Sequence, residues 1–205
     1  MVAEDAEAAA EVRLSICPTG ANNALCCYNT LLLLCKDTSS MRMGAIIDAT
    51  GTYRYSLWRE WDANAPRVCF VMLNPSTADA TTDDPTIRRC IRFAQFWGYG
   101  SLEVVNLFAY RTTTPIDLRH APNPIGKEND RYCYQASLFA TKVIVAWGNW
   151  GGLLNRNQTV LNLLFHQQEI DCLGITKPGH PRHPLYIRSN TVPIRYSWPS
   201  TVACD

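Results

Sequence analysis

Val-Cys-Phe-Val-Met-Leu-Asn-Pro-Ser-Thr-Ala-Asp, residues 68–79, is the stretch that decides the fold. Residues 68–73 are apolar without a break, and the run stops at Asn74-Pro75-Ser76. This is the form of a buried strand that delivers one polar amide to its C-terminal edge. Pro75 fixes its own φ and disfavours the helical region for Asn74, so the amide is held in extended backbone. In open α/β sheets, ligands bind outside the C-terminal ends of the strands. Asn74 is therefore the first candidate site residue.

Outward from this strand the pattern alternates. Residues 53–58 carry β-formers at a period near two and read as a strand. Asp84-Pro85 predicts a helix start, with Asp84 as N-cap and Pro85 at the first helical position. Ile87, Cys90, Ile91, Ala94 and Trp97 share one face of that helix, and Gly98 or Gly100 stops it. Strands follow at 102–107, 142–146 and 171–173, and helices at 129–140, capped by Asn129 or Asp130, and 157–167. Strands alternating with helices predict a three-layer α/β/α sandwich around a short, mainly parallel four-stranded sheet.

The 205 residues suit one domain with a sizeable core, and 47% apolar with 18% charged residues is ordinary for a globular protein. A net charge of +1 excludes a uniformly basic surface but leaves room for a local basic patch. Residues 1–40 differ from the rest: an acidic, Ala-rich opening precedes a Cys- and Leu-rich segment. They are expected to be an extension, with the functional α/β domain spanning 41–205. The apolar stretch at 24–35 is too short to span a bilayer, and the residues before it are acidic, the wrong sign for a signal peptide. The expectation is a cytoplasmic protein with no membrane partner. Nine cysteines without a CxxC pair read as free thiols in a reducing compartment, with no metal or iron–sulfur pattern and no cofactor implied. Neither a Walker A run nor GxGxxG occurs.

Four strand ends are expected on one rim. They deliver Asn74-Pro75-Ser76 with Asp79, Asp83 and Asp84 beyond; Asn106-Leu107-Phe108-Ala109-Tyr110-Arg111; Trp147-Gly148-Asn149-Trp150-Gly151; and the loop from Thr176 to Tyr186. Amides such as Asn74 and Asn106 combine an acceptor with two donors and suit reading a heterocycle edge. Phe108, Tyr110, Trp147 and Trp150 offer flat faces for stacking. A histidine in a Pro-rich loop, His180 or His183, is held to donate to a developing anion. Lys177, Arg182 and Arg111 suit phosphates. Nucleic acid or a nucleotide is the partner these groups point to.

Two resemblances rest on these residues. The runs at 51–59, 72–79 (Met-Leu-Asn-Pro-Ser-Thr-Ala-Asp), 83–90, 104–111 and 181–186 (Pro-Arg-His-Pro-Leu-Tyr) resemble a bacterial and phage domain-of-unknown-function family, number sixteen-forty-three. More distantly, the arrangement is similar to the uracil-DNA glycosylase superfamily. That second likeness implies a glycosylase-like fold. It also implies that Asn74 positions an attacking water, that Asn106 reads a flipped base, that Trp147-Gly148 ends an apolar strand, and that a His-Pro loop stabilises the departing base. Either His180 or His183 matches the loop, and the run Pro-Arg-His-Pro-Leu-Tyr favours His183. An amide takes no proton near neutral pH, so the general base implied is a carboxylate. Asp79, Asp83 and Asp84 are the candidates, and Asp84 ranks last because it caps a helix. The reading is a nucleobase-recognising hydrolase of the N-glycosidic bond. Its alternatives are a non-catalytic nucleic-acid or nucleotide-binding module, or an enzyme acting on free nucleotides.

Overall fold

The computed structural model describes residues 41–165 and 169–197. The expected extension at 1–40 lies outside the described residues. Among the described residues, seven strands form one sheet: β1 (Arg42–Ile47), β2 (Arg54–Glu60), β3 (Arg67–Met72), β4 (Ser101–Asn106), β5 (Lys142–Val145), β6 (Ile170–Cys172) and β7 (Ile194–Arg195). Helix α1 (Pro85–Phe96) joins β3 to β4, α2 (Asn129–Phe139) joins β4 to β5, and α3 (Arg156–Phe165) joins β5 to β6.

The strand order is β1-β2-β4-β3-β5-β6-β7. The central pairs β4/β3, β3/β5 and β5/β6 are parallel, and these are the four strands expected from the apolar runs. The four-stranded sheet is nonetheless corrected to seven. β2 pairs antiparallel with β4 and carries β1 outside it, while the two-residue β7 closes the other edge on β6. Half of the six pairings are thus antiparallel.

Chain direction explains the layers. From β3 the chain moves one way to β4, then steps back across β3 to β5 and on to β6. Right-handed crossovers in opposite directions put their helices on opposite faces. One core joins α1 (Ile87, Cys90, Ile91, Phe93, Ala94) to Val68, Phe70 and Met72. The other joins α2 and α3 (Cys133, Ala136, Val160, Leu161, Leu164) to Cys69, Val71 and Leu73. Successive residues of β3 feed opposite cores, which is why its sequence is apolar at every step. Beside β3 the loops part to opposite faces, and this reversal point is where such sheets open a crevice.

Local signals behave as the chemistry dictates at α1: the Asp84 side chain accepts from the Ile87 amide at 2.8 Å, and Gly98 follows the helix at φ +82°. At α2 the expected cap is wrong. Glu128 holds the N-cap position without a side-chain bond. Asn129 instead turns inward and donates to the carbonyls of Asn106 and Leu107, and Asp130 pairs with Arg156. Cys69, Cys90, Cys133 and Cys172 are buried free thiols, and burial raises the pKa of each. Among the described residues, no helix is long and apolar enough to cross a membrane.

Candidate functional site

Asn74 lies just beyond β3, the middle strand in the order of the sheet. Its amide nitrogen donates to the carbonyls of Pro75 at 3.0 Å and Thr112 at 2.7 Å. The Thr112 amide in turn donates to the Pro75 carbonyl at 3.0 Å. Both amide protons are therefore committed to backbone, and Oδ1 is the atom that Asn74 can offer a ligand.

The loop from Ser76 to Asp83 is tied down by two buried arginines of β2. Arg59 donates to Asp83 and to the carbonyls of Gly44, Trp58, Asp79 and Thr82. Arg54 donates from Nη1 to the Ala78 carbonyl at 2.9 Å and from Nη2 to Asn106 Oδ1 at 3.4 Å. Within the loop, Asp79 Oδ1 accepts from the amides of Thr81 and Thr82, both at 2.8 Å. These bonds close a local turn and hold the Asp79 carboxyl below its usual pKa, which makes it a weaker base. The loop ends at Asp84, which is 9% exposed. One of its carboxylate oxygens is occupied by the helix cap.

At the end of β5 the chain turns through Trp147-Gly148. Gly148 adopts φ +71°, and its amide donates to the Pro181 carbonyl at 2.8 Å. Trp147 is 2% exposed and lies edge-on to Tyr196, with Gly151 against its indole. Trp150 sits further out, with the Arg119 guanidinium 5.0 Å above its ring.

The histidine loop is a tight excursion. Ile175 and Pro181 bridge, and the Arg182 amide donates to the Gly174 carbonyl at 2.8 Å. His183 precedes a 3-10 turn, Pro184–Tyr186, and its Nδ1 accepts from the Leu185 amide in a long bond of 3.4 Å. That bond assigns the proton to Nε2, the donor the ring can present. Burial lowers the pKa of His183, opposed by the nearby Asp84 carboxylate. The ring is thus neutral at pH 7.

These pieces enclose one cavity of about 490 Å³, a size suited to a small ligand. Asn74, Ser76, Asp84, Thr112, Trp147 and His183 line it, with Arg54 in its wall and Trp150 and Tyr186 at its mouth. Tyr186 is 80% exposed. Burial pushes the Arg54 pKa down to about 10, against the pull of Asp84, so Arg54 stays cationic at neutral pH.

Asn74, Trp147, Trp150 and His183 meet here, together with Asp84, the last-ranked of the carboxylate candidates. Asn106 does not: it is 1% exposed, outside the cavity lining, with the Arg54 guanidinium on its Oδ1. The antiparallel neighbour β2 covers the end of β4 with that arginine. Phe108 is fully buried in the core with Leu118 and Cys133, so its ring offers no free face. Tyr110 packs on the same core and edge-on to Tyr53, outside the cavity. Asp79 serves its turn, and Asp83 serves Arg59. His180 lies by Gly152 rather than in the cavity wall. Lys177 and Arg182 are exposed on the loop, and Arg182 reaches an adjoining groove shared with His183 and Tyr186.

Two residues were undervalued in the sequence. Asp84 ranks behind Asp79 on sequence because it caps a helix, yet a cap uses one oxygen and leaves the other. Arg54 is outside the set expected from sequence, although an arginine inside the β-forming run Tyr53-Arg54-Tyr55 is a signal that something polar lies beneath it.

Neither a comparison with curated proteins nor one with solved structures found a match. One family pattern matches residues 54–185, a span that opens on Arg54 and closes just past His183 and so takes in Asn74, Asp84 and Trp147. The chain belongs to this family, described as "Protein of unknown function (DUF1643)".

Proposed function

We propose that the chain is a nucleobase-recognising hydrolase of the N-glycosidic bond, similar in plan to the uracil-DNA glycosylases. The observation that carries this reading is the convergence of Asn74, Asp84, Trp147 and His183 on one cavity at the reversal point of the sheet. The cavity's size suits a single flat base, with the Trp147 indole as one wall. In the reaction, a water oxygen bonds to C1′ while the C1′–N bond breaks and its electron pair passes to the base. Asn74 Oδ1 orients the water, and the free oxygen of Asp84 takes its proton. His183 Nε2–H donates to the base as negative charge develops there, which favours the transition state over the ground state. A base inside a duplex must first leave the stack. The exposed Tyr186 at the mouth and Arg182 in the adjoining groove suit the strand from which it comes.

The test is incubation with oligonucleotides containing uracil, hypoxanthine or xanthine, followed by scoring of abasic sites. Loss of one such donor costs about a hundredfold or more, so His183→Ala should abolish most release. Unchanged turnover in that variant would rule out the assignment. A second reading draws on Asn74, whose amide stands where a carboxylate would be the stronger group. It makes the same cavity part of a non-catalytic nucleic-acid or nucleotide-binding module, which would bind these oligonucleotides and leave them intact. Free deoxynucleotides in a parallel incubation address hydrolysis of the monomer.

A further inference from the structure

We propose that the ligand of this cavity is an anionic heterocycle and that Arg54 is the residue that binds its charge. The inference rests on the reading of the cavity as a heterocycle site and names the charge class it takes. It does not depend on hydrolysis.

Strand β2 carries two buried arginines with different surroundings. Arg54 and Arg59 both belong to β2 and are 2% and 0% exposed. Arg59 is fully answered: it pairs with Asp83 at 2.8 Å and donates to four carbonyls. Arg54 is not. A guanidinium has five N–H donors and no acceptor. Those of Arg54 reach the Ala78 carbonyl and, at a long 3.4 Å, Asn106 Oδ1. Its Nε is shielded from solvent and has no hydrogen-bond partner. Among the described residues, no carboxylate reaches ion-pair distance of it. The adjacent Asn106 amide nitrogen is also buried without a partner, so unanswered donors cluster at this one place.

A buried cation without a counter-ion is costly, and native chains leave few such groups without a reason. Arg54 lines the cavity, so a ligand is the counter-ion within reach. Asp84 and, more weakly, Asp79 attract the guanidinium from further off, while Arg111 and Arg59 repel it, which leaves its charge only partly offset. A charge-assisted bond in this dry wall exceeds a neutral one. Neutral bases would gain little from Arg54, whereas a base that has lost its ring proton gains a charge partner. In the hydrolysis proposed above, the leaving base passes through that charge state.

The experiment is calorimetric titration of the full chain with free xanthine, free hypoxanthine and inorganic phosphate. It is run at a mildly alkaline pH at which xanthine is largely anionic and hypoxanthine neutral. Wild type should bind xanthine about tenfold to a hundredfold more tightly than hypoxanthine. Arg54→Met should erase that preference and Arg54→Lys should keep part of it; the lysine variant also controls for folding. Equal affinity of the wild type for the two bases, or no binding of either, overturns the proposal without recourse to any variant. Phosphate binding that depends on Arg54 as strongly as xanthine binding does would overturn the heterocycle assignment. A chain that prefers xanthine yet releases no base from DNA retains this inference and loses the hydrolase. A chain that releases base but shows no preference loses this inference alone.

Discussion

Asp84 carries two duties that substitution can separate. One carboxylate oxygen caps α1 through the Ile87 amide, and the other is available to the cavity. Asparagine is as good a cap as aspartate, whereas alanine is not. Asp84→Ala should therefore lose about 1 kcal/mol relative to Asp84→Asn. In a chain of this size that is a difference of about 2–4 °C in melting temperature. Both variants lose the charge that partly offsets Arg54, so both should melt below wild type, with alanine lower. Base release should behave differently. A general base contributes about a hundredfold to ten-thousandfold, and neither an amide nor a methyl group supplies it. Both variants should fall by that factor equally, although only one has lost the cap. The assays are thermal unfolding by circular dichroism and abasic-site formation on the preferred oligonucleotide. An asparagine variant that works as fast as wild type would refute the carboxylate role. Coincident melting of the two variants would refute the cap.

Three further outcomes follow from the geometry. His183 should titrate below 6.5 by NMR, and Asp84→Asn should lower it further, because the carboxylate is what opposes burial there. Protons then bind the unfolded ring before the native one, so its contribution to stability is complete above about pH 6.5 and declines as pH falls through that value; replacing His183 with glutamine should flatten that part of the profile. Gly151→Ala places a methyl 2.0 Å from Trp147 Cδ1, which forces the indole to move; a loss of about 1–3 kcal/mol and altered near-UV dichroism are expected. Gly152→Ala, whose methyl would sit 3.7 Å from His180, should change neither. Arg59→Met removes the buried partner of Asp83 and the donor to the Asp79 carbonyl, and should cost about 3 kcal/mol in chemical denaturation and weaken ligand binding through the loop it holds.

How far the sequence could lead depended on whether a signal was local. α1 was readable because its cap, its N1 proline and its apolar face lie within one segment. β3 was readable because burial on two faces leaves an unbroken apolar run. β1 and β7 were not. β1 has exposed Met43 and Ile46 at a sheet edge, and β7 is two exposed residues whose pairing with β6 is what makes them a strand. The site divides in the same way. Asn74 and Trp147 follow from strand ends, which sequence locates. Asn106 also sits at a strand end, but its surroundings depend on which strand lies beside β4. That neighbour is β2, arriving from some fifty residues upstream and antiparallel. It lays Arg54 across the amide, and nothing within the β4 segment announces it. Choosing between Asp79 and Asp84 needed the path of the intervening loop, and that path is set by Arg59.

The two arginines also tell how the site is held. The parallel strands position Asn74 and Trp147, but the loop between β3 and α1 has no partner of its own in the sheet. Its carbonyls at Ala78, Asp79 and Thr82 are all answered from β2. The antiparallel half of the sheet therefore sets where α1 begins, and with it the place of Asp84. Arg59 meets this task with every contact closed, whereas Arg54 meets it while keeping donors unspent at the cavity wall. A purely structural role would favour closing both, because an unanswered buried donor costs more than the bond it forgoes gains. That the same strand carries one closed and one open guanidinium, with the open one at the cavity, is the physical ground for assigning Arg54 to the ligand rather than to the fold.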